Sequence, residues 1–596
     1  MAWRDGDDLT SFNLNTQGSF GTVLNVQAFG AVGDGATDDT GAFRSSMSSA
    51  ASLGGAIVYA PPGTYLYEHL SVWTNCTLQG AGPQRTILQR KSTLSTSGES
   101  RLFGVRLQGN FACLRDLSVK GQWDNSFSTA TNQTYDINVA VVGDSVEHVR
   151  CINVESYNAH IGFLVGGLVG SSANGNSWGG QNFARFENCY GHDTYDLNFG
   201  LIARGRADAD TCAGCAIVNS VASSCRTSAG IEIRYQRAAQ VADCYSRGHS
   251  NADLGAGLRL EETDHAIVTN LQTAQCTYGL QGTNNSHSCL VNGFVARNCT
   301  LYGAQYYHCS DMQLSNFLID KSGDDGILLT WASSTWTRNN ERLAFVNGRI
   351  NEVGTAYAAG IRVEGASTNT SVQSNGRDLV IDGVHVFKAY AKGIEIQAGG
   401  NFSITNCVLE DNGVGVTDGH GIIATAPLIN GTDTILNVPS GGFIHGCMFI
   451  NNSSVSSQVY AVNDATYITS ASSQPLTVIG DVRTIGTHIW ISTAPRRENG
   501  VFQNPIRAAA GVYAAAGSAT NPMFAFSSES SLGFYRSNTS TVGLTYGRLA
   551  LPTAAPANAS ATGDAGQVSW GVGSGTTFLY LCHSTNSWGR VAVAPW

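Results

Sequence analysis

Short runs in which apolar and polar residues alternate recur through the middle of this chain, each introduced by a glycine, and no helical spacing accompanies them. The cleanest copies are GIEIR (Gly230 on), GLRLE (Gly257 on), GIRVE (Gly360 on) and GIEIQ (Gly393 on). The full series is Gly162, Gly200, Gly230, Gly257, Gly279, Gly303, Gly326, Gly360, Gly393 and Gly421, with steps of 22 to 38 residues. Between the glycines lie further strand-like runs, among them IVTNLQTAQC (Ile267 on), LVNGFVARNC (Leu290 on) and LVIDGVHVF (Leu379 on). Each unit therefore has at least two strands and an Asn- or Gly-bearing corner.

A repeat of this size, with strands and no helix, buries its apolar face only by stacking on its neighbours. The expected fold is all-β: a right-handed, single-stranded parallel β-helix. A leucine-rich repeat is set aside, because it needs leucines at fixed offsets where this chain has Ile, Val, Asn and Gly. The 69 glycines are expected at sharp left-handed corners.

Composition narrows the function. A net charge of -10 without basic runs argues against nucleic acid as partner. No apolar stretch approaches the length of a membrane span, and the start, MAWRDGDDLTSF, lacks the apolar centre of a signal peptide. The 15 cysteines form a poor disulfide framework. Cys151 and Cys189 are 38 residues apart, the Gly162 to Gly200 step, so cysteines are expected to stack inside the coils as small hydrophobes. Cys212 and Cys215 have metal or redox spacing but no second pair, so no metal or cofactor is expected. Reduced thiols fit folding in a cytoplasm.

The block VLNVQAFGAVGDGATDDTGAFRSSMSSA (Val23 on), followed by GGAIVYAPPGTYLY (Gly54 on), reads as strand, glycine turn, amphipathic helix, strand, Pro-Pro-Gly turn and strand. Thr37, Asp38 and Asp39 suit a helix N-terminus, and Asp34, Asp38 and Asp39 are read as structural. This block resembles the opening of the pectate-lyase-like superfamily of β-helices, in which the helix caps the first coil and protects its edge. Within it the chain looks most like a bacteriophage tailspike or polysaccharide depolymerase, over residues 21 to 470. The resemblance implies a stub at 1–20 in place of a virion-attachment domain, a capping segment at 21–75, a β-helix with a glycan-binding groove at 76–494, and a β-rich trimerisation or carbohydrate-binding domain at 495–596. It further implies a homotrimer on the phage tail, joined to a tail or baseplate protein and acting at the bacterial surface. The partner so implied is a bacterial surface polysaccharide, O-antigen or capsule, without membrane insertion.

Alternation in the strand after each glycine gives two outward columns. The first reads Ile202, Glu232, Arg259, Gln281, Gln305, Leu328, Arg362 and Glu395; the second reads Arg204, Arg234, Glu261, Gly282, Tyr307, Thr330, Glu364 and Gln397. Glu232 and Glu261 lie on a diagonal about 8 Å long, given strands about 4.8 Å apart. That spacing suits an inverting glycosidase, one acid protonating the leaving oxygen and the other activating water. Arg234, Arg259, Tyr235, Arg237 and His265 are candidate groove residues beside them. The same charges also read as cross-strand ion pairs on a solvated face.

A second cluster contains Arg362, Glu364 and Glu395, with Trp331 and Trp336 in a neighbouring insertion as sugar-stacking candidates. Asp324 and Asp325 stand just before a groove strand, where like charges raise one carboxyl toward a general acid's range. Asp418-Gly419-His420-Gly421 looks like the Gly-His-Gly of polygalacturonases but lies about four coils from the Asp pair instead of one, and is read as chance. Hydrolysis is the preferred chemistry. A lyase acting by β-elimination on uronic acids, using Arg234, Arg259, Tyr235 or His265, is the alternative, and a non-catalytic adhesin the third.

Overall fold

The computed structural model describes residues 22–91, 103–123, 136–143, 145–166, 181–203, 212–330, 340–354, 357–365, 375–416, 419–425, 442–451, 458–465, 477–478, 483–486, 490–493, 524–526, 529–538, 541–544, 568–573 and 576–592. The chain divides into two compact units, Met1–Pro495 and Arg496–Trp596. In the first, 41 strands from Val23–Asn25 to Trp490–Thr493 form one continuous parallel sheet wound as a β-helix. A typical coil has three strands, as in Ile267–Thr269, Gln272–Ala274 and Tyr278–Thr283. Each strand pairs in parallel with its counterpart one coil on.

Like side chains stack on like inside the coils. One interior column runs Val241, Val268, Val291, Leu314, Phe345, Ile381, Ile404 and Ile444, all buried. Each such residue contributes about 1.5–3 kcal/mol of transfer free energy, so the stacked coils carry the stability. Fourteen of the fifteen cysteines are buried free thiols, Cys113 being half-buried. Cys151 is buried inside the coils as expected, but it pairs in register with Leu114 and Phe186 and not with Cys189, so the 38-residue spacing does not mark a cysteine column.

The repeat glycines owe their identity to close approach and not to left-handed backbone. A Cβ on Gly257 would lie 2.8 Å from the carbonyl oxygen of Gly279. The same construction on Gly279, Gly303, Gly326, Gly360 and Gly393 meets the next coil's glycine oxygen at 2.5, 2.7, 2.5, 2.7 and 2.5 Å. None of these glycines has a positive φ; the left-handed corners fall mainly to Asn188, Asn219, Asp243, Asn270, Asn316, Asn347 and Asn406, with φ of 51° to 54°. There the side-chain amides bond from coil to coil, as Asn270 Nδ2 does to Asp243 Oδ1 at 2.9 Å.

Two positions of the alternation differ from expectation. Gly282 faces inward, where its missing side chain leaves room for the Tyr306 ring, and Thr283 takes the outward place beside Glu261. Gly200 is not the repeat glycine of its coil. Leu164 pairs with Gly200 and Gly200 with Glu232, so Asn198 occupies the repeat position and Ile202 stands beside Arg234. Arg204 lies outside the described residues.

The helix Thr40–Ser52 buries Phe43, Met47 and Ala50 against the first coils, with Phe43 edge-on to Tyr65 at 5.4 Å. The acidic residues before it act structurally, though not all as caps. Asp38 Oδ1 accepts the Thr40 amide at 3.0 Å, whereas Asp39, at the N-cap position, turns back to the Val32 and Gly33 amides. Asp34 closes its own turn on Ala36 and Thr37. Among the described residues no helix is long and apolar enough to cross a membrane. The second unit contains two three-stranded antiparallel sheets, Phe524–Phe526 with Glu529–Asn538 and Thr541–Leu544, and Val568–Gly573 with Thr576–Ser584 and Ser587–Ala592.

Two glycine substitutions should differ in sign. Gly326→Ala forces a methyl against the Gly360 oxygen and is expected to cost about 1–3 kcal/mol. Gly41→Ala, in the helix with open space around it, is expected to gain up to about 1 kcal/mol. Chemical denaturation of the two variants measures both.

Candidate active site on the glycine-strand face

The register brings together the four charges of the first candidate cluster. Glu232 pairs with Arg259 and Arg234 with Glu261 on the adjacent strands Ile231–Arg234 and Ala256–Glu261. Arg234 spans the diagonal between the carboxylates, its Nη2 donating to Glu261 Oε1 at 2.7 Å while Nη1 stands 3.8 Å from Glu232 Oε1. Its guanidinium carbon lies 5.4 Å from the centre of the Tyr235 ring. Asn284 Nδ2 donates to the same Glu261 oxygen at 3.0 Å.

These charges are not on a solvated face. Glu232 and Arg259 are each only 5 % exposed. Arg259 is held from three sides, by Gln281 Oε1 at 2.9 Å, Ser228 Oγ at 3.3 Å and the Leu254 carbonyl at 2.5 Å, and its Nη1 lies 3.5 Å from Glu232 Oε2. Arg259 thus meets Glu232 from a buried position, where alternation led to the expectation of an open groove residue. Gln281 passes the ladder on to Gln305 Oε1 at 2.8 Å. Burial pushes the Glu232 carboxyl up to about 7, a rise that Arg259 opposes and Glu261 reinforces. Arg234 and Glu261 are the more open members of the group, their side chains 28 % and 11 % exposed.

Two residues that alternation did not reveal adjoin this group. Asp196 lies close enough to Glu232 and Arg259 to act on Glu232 electrostatically. Its carboxyl is raised by burial, a rise the neighbouring His160 opposes, and accepts from Thr227 Oγ1 at 3.4 Å; burial in turn pushes His160 down. His160 stacks on Tyr195 at 5.2 Å, and Trp123 meets Tyr195 edge-on at 6.0 Å. Asp196 sits within the unbroken strand Tyr190–Ile202, four residues ahead of Gly200, where no repeat signal marks it.

The remaining candidates occupy several places. Tyr235 and His265 are both left-handed corner residues, and Arg237 lies beyond the corner in a bridge with Ala213 and Asp264. The Tyr235 hydroxyl donates to Glu262 Oε1 at 3.3 Å. Tyr307 is half-buried next to Thr283. Trp331, Trp336 and Asp418 lie outside the described residues. His420 is buried one coil after Lys392.

The second cluster is differently composed from the one expected. Arg362 Nε donates to Glu395 Oε2 at 3.1 Å and its Nη2 lies 3.3 Å from Asp325 Oδ1. Lys392, not foreseen, donates to Glu395 Oε1 at 2.5 Å. Glu364 turns aside to accept from Thr330 Oγ1. Asp325 is fully buried and raised to about 7 by that burial, with Oδ1 accepting the Ala359 amide at 2.7 Å. Asp324, whose amide donates to the Leu301 carbonyl at 2.8 Å, stays near enough to reinforce the rise at Asp325 and to act on Arg362 electrostatically.

Comparison with known proteins places the likeness mainly at the N-terminal end. Residues 23–106 match the family described as rhamnogalacturonase A/epimerase, pectate lyase-like. Mannuronan C5-epimerase AlgE3 of Azotobacter vinelandii is 33% identical over 112 residues, 17% of this chain and 6% of the epimerase. Alginate lyase 7 of the same organism is 31% identical over 115 residues, 17% of this chain and 13% of the lyase. Among solved structures, the N-terminal fragment of bacteriophage Phi29 gene product 12 shares the fold at a TM-score of 0.50 and 14% identity, over 78% of this chain and 72% of that one. The chain is thus a parallel β-helix protein whose opening block is similar to that of pectate-lyase-like, polysaccharide-acting enzymes, of which it spans only a small part.

Proposed function

We propose that this protein binds a polysaccharide along the outward face of the glycine strands and cleaves it internally by hydrolysis, with Glu232 as general acid and Glu261 as base. The observation that carries this reading is a carboxyl raised to about 7 by burial, one strand from a carboxylate held by Arg234 and Asn284. Two carboxyl groups in unlike surroundings take opposite proton roles. Glu232 gives its proton to the leaving glycosidic oxygen as the bond to the anomeric carbon breaks. Glu261 takes a proton from the water whose oxygen bonds that carbon from the other face. Their backbones stand about 8 Å apart on the diagonal, a spacing that accords with the inverting class. Arg234 orients Glu261 through its 2.7 Å hydrogen bond, and Arg259 with Asp196 acts electrostatically on Glu232.

β-Elimination is the second reading. It is favoured by the similarity to an alginate lyase and by the Arg234–Tyr235 contact, a cation for a uronate carboxylate beside a phenol for the C5 proton. The alternative site is the Asp325–Arg362–Glu395 cluster, which joins one member each of the second-ranked pair Asp324/Asp325 and the third-ranked pair Glu364/Glu395. The biological setting we infer is a phage tailspike: a homotrimer joined through residues 495–596, borne on the virion, cutting O-antigen or capsule at the host surface. The N-terminal block and the separate antiparallel sheets of the C-terminal unit support that arrangement.

Glu232→Gln and Glu261→Gln are each expected to lower cleavage about 10²–10⁴-fold while polysaccharide binding changes little; full activity in both variants moves the site to Asp325 and Glu395. Because the acid must be protonated, activity should fall as pH rises through about 7. The same group weakens folding at high pH. Its folded-state affinity for a proton exceeds the unfolded one, so stability is fullest below about 4.5 and declines by at most about 3 kcal/mol as pH passes 7. The melting temperature of Glu232→Gln should therefore gain on that of the wild type between pH 5 and pH 8. Mass spectrometry of released oligosaccharides separates the chemistries. Fragments heavier by one water per cut mean hydrolysis, unsaturated fragments mean elimination, and binding without fragments means an adhesin.

A further inference from the structure

A cavity of about 620 Å³ opens between the helix Thr40–Ser52 and the strands Leu70–Val72 and Phe103–Leu107. This is within the range of small-ligand sites. Its walls carry Arg44 and Met47 from the helix, and His69, Ser71, Trp73 and Arg106 from the coils. Among the described residues no carboxylate lines it; Glu68, 3.8 Å from Arg44, stands outside. The Trp73 indole is 42 % exposed, and Arg106 Nη2 donates to Ser71 Oγ at 3.1 Å. Arg44 Nη2 contacts the His69 ring at 2.8 Å, and burial with that cation pushes His69 down to about 4, leaving it neutral at pH 7.

The cavity belongs to the same face as the candidate active site. Ser71 pairs with Arg106, Arg106 with Ala140, Ala140 with Leu164, Leu164 with Gly200 and Gly200 with Glu232. Arg106 is thus four strand spacings, about 19 Å, from Glu232 along one column, and the buried Ala140 and Leu164 separate the two.

We propose that this cavity is a second glycan site, separate from the cleavage site, that takes a carboxylate-bearing sugar residue. The apolar face of the sugar ring lies on Trp73, its carboxylate pairs with the guanidinium groups of Arg106 and Arg44, and a ring hydroxyl bonds Ser71. A planar guanidinium matches a carboxylate with paired hydrogen bonds, and an indole matches the C–H face of a pyranose. The absence of an acid from the wall selects against cationic ligands. The proposal rests on the reading that this protein handles polysaccharide, but not on Glu232 or Glu261.

The test uses the full chain, with tetragalacturonate, maltotetraose and inorganic phosphate as probes and tryptophan fluorescence together with calorimetry as readouts. Tetragalacturonate should change the emission, Trp73→Phe should abolish that change, and Arg106→Ala should weaken binding at least tenfold. Arg44→Ala, which removes a helix side chain and its contacts to His69 and Glu68 but none of the strand pairing, should weaken it about threefold. Glu232→Gln should leave all of these values in place, so a failed cleavage assignment and a failed second site give different results. The proposal is overturned if Arg106→Ala and Arg44→Ala bind as the wild type does, or if maltotetraose binds equally well. It is also overturned if phosphate alone displaces the sugar at equal concentration, which would make the cavity a general anion site.

Discussion

The contact on which the structure depends is the approach of one coil's backbone to the next at the repeat glycine. From Gly257 to Gly393 a single added carbon would sit 2.5 to 2.8 Å from the oxygen of the following coil. Bare backbone at that point lets the strands keep parallel register over the whole face. Register in turn puts Glu232 beside Arg259 and Arg234 beside Glu261. The arrangement of charges is therefore a consequence of where side chains are missing.

Once the columns are set, burial decides what the charges do. An exposed pair of this kind contributes little and keeps ordinary proton affinities. Here the residues around Ser228 and Leu254 close over Arg259, and the neighbouring carboxyl loses water with it. Ionising Glu232 then costs more than its arginine neighbours return. Asp325 reaches the same condition in the second cluster by the same route. One scaffold thus holds two carboxyl groups raised toward neutrality, each bridged by an arginine to a second carboxylate; the partner is the more open in the first cluster, where the Glu261 side chain is 11 % exposed against 2 % for Glu395.

The sequence was most legible where physics restricts residue identity. Glycine is demanded by the coil contact and asparagine by the left-handed corner, so both mark the period, although which of them served which purpose had to be read from the backbone. Strand alternation was enough to pair Glu232 with Arg259 and Arg362 with Glu395. It failed where phase was hidden. Asn198 fills a glycine position and shifted one coil by two residues, and the outward column just before the glycines, which carries Lys392, was not counted. Burial was not legible at all, because it depends on how the irregular segments ahead of the strands, such as those holding Ser228 and Leu254, fold over the face. For that reason Arg259 looked like a groove residue, and Asp196 and His160 did not look like part of a site.

The steps between repeat glycines vary from 22 to 38 residues, yet each coil adds one place to every column. The scaffold therefore works as a ruler with a fixed graduation of about 4.8 Å, on which insertions at the corners change the walls without moving the marks. Lengthening a corner leaves the separation of Arg106 from Glu232 unaltered, whereas duplicating a whole coil extends it by one graduation. For the polysaccharide proposed above, points of contact on this face would be spaced in whole coils, so corner insertion alters the walls while the distance between contacts changes only in discrete jumps.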